Sequence, residues 1–382
     1  MTQEFSTAEI GERLRVARSN ARITQERAAD AIGVARTTIV AMENGTRKVR
    51  PEELIKLADL FGLTVNSLLR RQRPELNLVA QFRRSETTRR DDGKSGEVTS
   101  LLQHLAEGYI ELEQILSAPL NPAYPPEVKL RRGRIQEQAD DVALELRARL
   151  GIGLAPISNV IGLLEDELKI RIFERRLPSG VAGAFAYQSA VGACVVVNAL
   201  QPRARRSWAA VHECGHFLAH RDEMDIVFTD EAERARDRFA DLFAASFLLP
   251  AAGVRSRFDH IVTDEGRFSP RSLILLARAF GVSLEAMGRR LENLMLLPRG
   301  TYESLRERGL SQKTVEDVLG AVIEEDGPVP ASQRMALLAS EAHGKGLLSE
   351  GQVSSLLRLD RLTVRRLLDA LPGEDDMGEE DA

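Results

Sequence analysis

The chain has 382 residues, 43% of them hydrophobic, which indicates two or three domains with proper cores. No stretch approaches eighteen consecutive apolar residues, and the start of the chain lacks a secretory signal pattern, so neither a membrane span nor export is expected. Two cysteines are too few for a disulfide framework and suit a reducing compartment, which favours a cytoplasmic protein.

The net charge of −5 is unevenly distributed along the chain. Residues 1–73 contain 13 Lys or Arg and 9 Asp or Glu, so this segment carries +4 and the remainder −9. Only residues 1–73 therefore carry the net positive charge that attracts a polyanion. Residues 372–382 are rich in acids and are predicted to be a solvated tail without a fold.

Residues 7–69 contain several short amphipathic helices separated by turn signals. Thr24 is predicted to cap a helix over 25–32, and Gly33 to end it in a left-handed turn. A third helix is predicted over 35–44, and Pro51 suits the first turn of a fourth. Short helices joined by a three-residue turn are typical of helix-turn-helix DNA-binding domains.

This stretch resembles the XRE family of repressor and Cro-like helix-turn-helix domains in four short strings: Ile23–Ala29, Ile32–Val34, Thr37–Ile39 and Met42–Gly45. The resemblance implies an all-α domain over residues 1–73 with double-stranded DNA as its partner. It places Gln25, Asn44, Arg47 and Lys48 at the DNA backbone, and Arg36, Thr37 and Ala41 at the bases with Thr38 nearby. A helical module that binds another protein is the alternative.

The next region, 74–126, is predicted to be a linker followed by a helix. Residues 83–96 contain no apolar side chain and cannot join a core, which indicates a flexible linker. Residues 97–117 look helical, and the proline-rich stretch 119–126 ends the region.

A small β-sheet is predicted in the middle of the chain, after two helices. Apolar residues recur at helical spacing over 134–150, and Pro156 is predicted to begin a second helix that reaches Leu168. Three β-type runs then follow, over 170–174, 185–188 and 194–198. The edge strand of such a sheet can pair with an extended peptide.

The sequence His-Glu-x-x-His at residues 212–216 predicts a metal site on a helix. Because His212 and His216 are four residues apart, both imidazoles lie on one helix face and can bind one ion. Glu213 lies about 100° around the helix, where it can take a proton from water. A third ligand is expected from a later helix, on which Glu233, Asp237 and Asp241 fall at four-residue steps; the spacing does not choose between them.

Two strings in this region resemble the ImmA/IrrE family of metallopeptidases: Arg206–His216 and Ala240–Pro250. The resemblance implies a zincin-like α+β domain over 127–298 that binds zinc through His212, His216 and the residue at Asp237, with Glu213 catalytic. The family has Glu at that last position. Asp is one methylene shorter, so the two helices must lie closer or the metal is held more weakly, and Glu233 is an alternative ligand. Asp241 is expected to orient a ligand histidine.

The C-terminal third is predicted to be helical. Residues 269–297 resemble the helical end of the same peptidase family, and more helices follow over 299–371. That last region is either a regulatory or dimerisation element, which would make a homodimer, or a structural extension.

The leading prediction is a transcriptional regulator that joins a DNA-binding domain to a zinc-dependent endopeptidase. By resemblance, its protein substrate would be a repressor or an antitoxin-like protein. The alternative is a transcription factor whose peptidase-like domain is a non-catalytic sensor of a ligand or partner, which the Asp at 237 keeps open.

Overall fold

The structure is a computed structural model that describes residues 7–61, 65, 94–221, 230–310 and 331–371, apart from residues 22, 123, 132 and 190. These residues form sixteen helices and one three-stranded sheet, which confirms the prediction of a mainly α chain with a small sheet. The chain divides into two compact units, Met1–Glu75 and Leu76–Ala382. None of the described helices is both long and apolar enough to cross a bilayer.

The first unit contains the predicted short helices. They are α1 Thr7–Asn20, α2 Gln25–Ile32, α3 Arg36–Glu43 and α4 Pro51–Leu60. Thr24 caps α2 by accepting a hydrogen bond from the backbone of Arg27, and Gly33 follows α2 with φ 74°. Glycine adopts this left-handed backbone conformation without steric strain. The chain therefore turns sharply at Gly33, and α3 starts three residues later. The predicted helix ends are therefore confirmed for α2.

The second unit surrounds the sheet with twelve described helices. Before the sheet lie α5 Lys94–Ile115, α6 Ile135–Arg149 and α7 Val160–Asp166. The strands are β1 Arg171–Arg175, β2 Gly183–Gln188 and β3 Gly192–Asn198. The helices that follow are α8 Arg203–His220, α9 Asp230–Leu248, α10 Ala251–Glu265, α11 Pro270–Phe280, α12 Leu284–Asn293, α13 Thr301–Glu307, α14 Gln333–Gly344, α15 Glu350–Leu357 and α16 Arg361–Asp369.

The strand order is β1-β3-β2, with β1 and β3 parallel and β2 and β3 antiparallel. Every residue of β3 is buried, as expected for a central strand covered on both sides. Strand β2 lies at one edge and packs against α8.

Side chains alternate between the two faces of the sheet, and each face belongs to a different core. Ile172, Val195 and Val197 point into the core built by helices α6 to α12, and we call this side the site face. Phe173 and Val196 point into a second core built by α5 and α14 to α16, and we call this side the cap face.

Two sequence predictions need correction. The helix predicted to begin at Pro156 starts at Val160 instead, because the side chain of Asn159 accepts a hydrogen bond from the backbone of Gly162 and caps the helix there. The predicted linker also extends too far, since α5 already begins at Lys94. The rest of that linker, residues 74–93, and the acidic tail lie outside the described residues.

The cap face joins two regions that the sequence treated as separate. Helix α5 comes from the predicted linker region, while α14 and α15 come from the C-terminal region, yet α5 packs against both. At the crossing point a Cβ on Gly108 would lie 2.3 Å from the carbonyl oxygen of Leu356, so only glycine permits this approach. The C-terminal helices therefore help to bury the sheet.

Candidate metal centre and DNA-binding face

His212 and His216 lie side by side on α8. The opposite side of this helix is buried, with Val211, Cys214 and Phe217 packed into the core of the site face. Four-residue spacing then places both imidazoles on the outer side, and their Nε2 atoms lie 3.1 Å apart. Two nitrogens of the same kind therefore face one common point.

Asp237 of α9 completes a group of three metal-type donors. Its Oδ1 atom lies 3.6 Å from Nε2 of His216, and the donor atoms of His212, His216 and Asp237 all lie within 4.8 Å of one another. The side chain of Glu233, the alternative ligand, lies outside the described residues. Two imidazole nitrogens and one carboxylate oxygen form a donor set that catalytic zinc sites use, so these residues fit a zinc ion.

The short Asp237 side chain reaches the histidines because α8 and α9 pack closely. Gly215 lies between the two histidines on α8, and a Cβ at this position would be 3.0 Å from Cα of Ala240 and 3.1 Å from the ring of Phe243. A larger residue at 215 would push α9 outward. This role of Gly215 was not predicted from the sequence, although the missing methylene of Asp237 already implied either closely packed helices or a weaker hold on the metal.

The outer nitrogens of the two histidines each have a partner. Nδ1 of His212 lies 2.9 Å from Oδ1 of Asp241, and Nδ1 of His216 lies 3.4 Å from Nδ1 of His220. With Nδ1 bonded in this way, each Nε2 is left to face Asp237 and the other histidine.

These partners set the charges of the imidazoles. Burial opposes protonation of His212, but the hydrogen bond to Asp241 and the nearby carboxylates outweigh it and raise its pKa. Burial and then the neighbouring His212 and His220 hold the pKa of His216 well below its usual value. Burial together with Arg236 lowers the pKa of His220 to about 3. His216 is therefore neutral, which is the form that binds a metal.

Glu213 lies between the histidines and the edge strand. A Cβ at Gly183, the first residue of β2, would lie 3.2 Å from Oε1 of Glu213, so the carboxyl packs directly against the strand. Burial raises the pKa of this carboxyl to about 7; His212 opposes the shift and Asp237 adds to it. A carboxyl group whose pKa lies near neutral pH can both take up and release a proton.

The predicted DNA-contacting residues of the first unit fall into two groups. Arg36 and Thr37 at the start of α3, and Asn44 and Lys48 after it, are exposed, while Thr38 and Ala41 are partly buried. Gln25 and Arg47 instead bond to acidic side chains of the domain, Gln25 to Glu43 at 2.8 Å and Arg47 to Glu53 at 2.8 Å.

A buried ion pair that the sequence analysis missed holds α1 against α3. Glu43 is 5% exposed, and its carboxylate receives hydrogen bonds from Arg18 at 2.6 Å and 3.1 Å as well as from Gln25. The charge of Glu43 is therefore balanced within the domain, and Arg36 is left at the open end of α3.

Each of the two units contains a segment that matches a protein family. Residues 9–71 match a helix-turn-helix domain, and residues 165–292 match the IrrE N-terminal-like domain of the Peptidase_M78 family. The chain therefore joins a helix-turn-helix DNA-binding domain to an IrrE-like peptidase domain, as the two resemblances predicted.

Two solved structures of a protein called ComR are similar to this chain at low identity. The apo form from S. thermophilus is 11% identical, covers 82% of this chain and 95% of its own, and has a TM-score of 0.16. The protein from Streptococcus suis is 12% identical, covers 96% and 89%, and has the same TM-score. A TM-score this low does not establish a shared fold. No curated protein sequence matches the chain.

Proposed function

We propose that this protein is a DNA-binding transcriptional regulator that also carries a zinc-dependent endopeptidase centre and acts in the cytoplasm on a repressor or antitoxin-like protein. The observation that carries this proposal is the cluster of His212, His216 and Asp237 beside Glu213 at the edge of the sheet. The match of residues 165–292 to a peptidase family supports it.

The three donors would hold the ion, and Asp241 and His220 would orient the two imidazoles. A zinc ion held there would supply Lewis acidity, lowering the pKa of water at the site and polarising a scissile carbonyl. Glu213 would act as the general base and then as the general acid. Its carboxylate takes the proton of the attacking water and returns it to the leaving amine.

Strand β2 would position the substrate. Its inner side pairs with β3, and its outer side has no partner strand among the described elements. An extended peptide can therefore add to this edge through backbone hydrogen bonds. Since Gly183 at the start of β2 packs against Glu213, a peptide paired here would pass close to the proton-accepting carboxyl.

The helix-turn-helix domain would bring the chain to DNA. Arg36 lies at the exposed N-terminal end of α3, where residues of a recognition helix contact base edges, and arginine is suited to bind guanine with two hydrogen bonds. Lys48 and Asn44 would contact phosphates. Gln25 and Arg47 would do so only by giving up their bonds to Glu43 and Glu53.

One observation favours the second candidate, a metal-binding sensor without hydrolysis. Asp237 occupies the position at which the resembling peptidases have Glu, and its side chain is 47% exposed. A shorter and more hydrated carboxylate binds metal less firmly. The sensor and the peptidase share the metal site and differ in whether Glu213 moves a proton.

Metal analysis tests the centre directly. Protein purified without added metal should contain about one zinc ion per chain, and His216→Ala should contain none, because the site needs three protein ligands. His260→Ala, which removes an exposed histidine bonded to Asp264, is the matched control and should keep its zinc. Zinc-free protein in all three samples would contradict the proposal.

The third ligand is tested by two further variants. Asp237→Ala should lose the zinc, and Glu233→Ala should keep it, if the cluster in the structure is the binding site. The reverse result would assign the metal to Glu233.

DNA binding is tested at Arg36. With a duplex selected for tight binding, Arg36→Ala should weaken binding about tenfold and relax the preference for one base pair, since one two-bonded contact is lost. Arg27→Ala, at an exposed position of α2, is the control. Equal losses in both variants would mean that Arg36 contributes only charge.

A further inference from the structure

The last three described helices repeat the layout of the first three. A constant shift of 325 residues takes α2, which begins at residue 25, to α15, which begins at residue 350 and has the same length of eight residues. The same shift takes the start of α3 at residue 36 to the start of α16 at residue 361. Shifted α1 spans 332–345, which encloses α14.

The turn between the second and third helix is the same in both places. Ser349 caps α15 through the backbone of Gln352, as Thr24 caps α2 three residues before Arg27. The residue after each helix is left-handed, Gly33 with φ 74° and Arg358 with φ 49°. The next amide then bonds five residues back in both turns, at 3.0 Å after α2 and 3.2 Å after α15.

The buried positions also correspond. Ala28 and Val353 are both 0% exposed, and Ile39 and Val364 are 2% and 0% exposed. Each pair is separated by the same 325 residues. Helix α16 therefore turns the same side inward as α3 does, and its open side corresponds to the side of α3 that carries Arg36.

A three-residue turn alone does not make a binding surface, as another part of the chain shows. Helices α11 and α12 are also joined by three residues, beginning with left-handed Gly281. There the second helix is covered: Gly288 lies against the ring of Tyr302 in α13, and Arg290 is 4% exposed and bonds to the carbonyl oxygen of Leu249.

Helix α16 is not covered in this way by the described part of the chain. It packs against α14 and α15, and its outer side presents Arg361, Leu362, Arg365 and Arg366, all exposed. Residues 331–371 contain six Lys or Arg and four Asp or Glu, although the chain beyond residue 73 is strongly acidic. A basic helix in an acidic region is the sign expected for a nucleic-acid contact.

We propose that α14 to α16 form a second helix-turn-helix and that α16 binds the major groove of double-stranded DNA. Arg361 corresponds to Arg36 and would contact base edges, and Arg366 corresponds to Ala41. Leu362 would pack on a thymine methyl group. Arg365 pairs with Glu350 at 2.9 Å, and Glu350 stands where α2 has Gln25. This acid weakens binding and keeps the second surface less avid than the first.

The test uses the full-length chain with the first unit silenced by Arg36→Glu and Lys48→Glu, and a random-sequence DNA duplex as the probe. This parent should still bind the duplex at low salt. Adding Arg361→Ala and Arg366→Ala should weaken binding about tenfold and reduce the slope of log affinity against log salt by about 1 to 2. A random duplex lacks the preferred bases, so both arginines would contact phosphates there and both of those contacts would be lost.

A matched control removes the same charge elsewhere. Arg278→Ala with Arg299→Ala takes away two exposed arginines outside α16 and should leave the affinity unchanged. Glu350→Gln introduces the residue that the first unit has at the corresponding position, Gln25, and should tighten DNA binding severalfold. This variant tests the proposal if the arginine variant proves unstable. Loss of duplex binding in the silenced parent, or equal affinities in the α16 variant and the control, would overturn the proposal. Unchanged DNA affinity with loss of a bound protein would assign the surface to a protein partner.

Discussion

On the cap face of the sheet, two arginines donate hydrogen bonds to one buried carboxylate. On the site face, two histidines point their Nε2 atoms toward each other. Glu113 accepts hydrogen bonds from Arg171 at 2.8 Å and from Arg334 at 2.6 Å, and both guanidinium groups lie over the ring of Tyr109. The protein itself therefore supplies both ionic partners of the Glu113 carboxylate. His212 and His216 instead direct their Nε2 atoms to a point shared with Asp237.

This difference shows how one sheet can serve two purposes. On the cap face, charge is enclosed and paired, so its removal should affect stability and little else. On the site face, Glu213 has a pKa raised to about 7 by burial and packs against the edge strand. A carboxyl group with such a pKa can exchange a proton with a substrate, so removing Glu213 should lower the rate of the reaction.

The largest expected effect belongs to Glu213. Glu213→Gln should lower the rate of peptide cleavage by about 10²- to 10⁴-fold, because the amide cannot accept the water proton, while zinc content stays the same. Glu165→Gln is the control: Glu165 is another buried glutamate with a raised pKa, which accepts a hydrogen bond from Tyr109. Undiminished cleavage by Glu213→Gln would remove that residue from catalysis, and absence of cleavage in the wild type would favour the sensor.

Substitutions on the cap face should lower the stability of the protein. Glu113→Ala leaves Arg171 buried without its carboxylate and should lower the free energy of unfolding by about 3 to 5 kcal/mol, measured by chemical denaturation. Zinc affinity of the folded fraction should not change. Glu341→Ala, which removes an exposed acid paired with Lys345 on α14, should have little effect. A comparable loss from both variants would mean that the buried cluster has no special role.

A smaller effect on both properties is expected at Gly215, where the site face joins α9. Gly215→Ala should cost about 1 to 3 kcal/mol of stability, because the added Cβ meets Ala240, and should weaken zinc binding as Asp237 moves outward. Gly344→Ala is the matched control, since its Cβ would meet nothing within 4 Å. Zinc affinity that survives Gly215→Ala would show that close packing of α8 and α9 is not what brings Asp237 into reach.

The elements that were predictable from sequence depend on residues near one another in the chain. Thr24 starts α2 by a side-chain cap and Gly33 ends it by a left-handed turn, while Pro51 suits the start of α4 because its ring fixes φ. The His-Glu-x-x-His spacing places two imidazoles on one helix face whatever surrounds it. The prediction that a helix begins at Pro156 was nevertheless wrong, because Asn159 caps the helix and it starts at Val160.

What the sequence by itself determined was therefore the order and type of the helices, the three strands and the two histidines with their glutamate. Only the tertiary structure showed that Asp237 lies near His216, that α5 and the C-terminal helices bury one face of the sheet, and that Arg47 is paired with Glu53. Helix periods and caps are local, whereas Glu113 and Arg334 meet across 221 residues. No pattern within one segment specifies such a contact, because it depends on how whole layers pack.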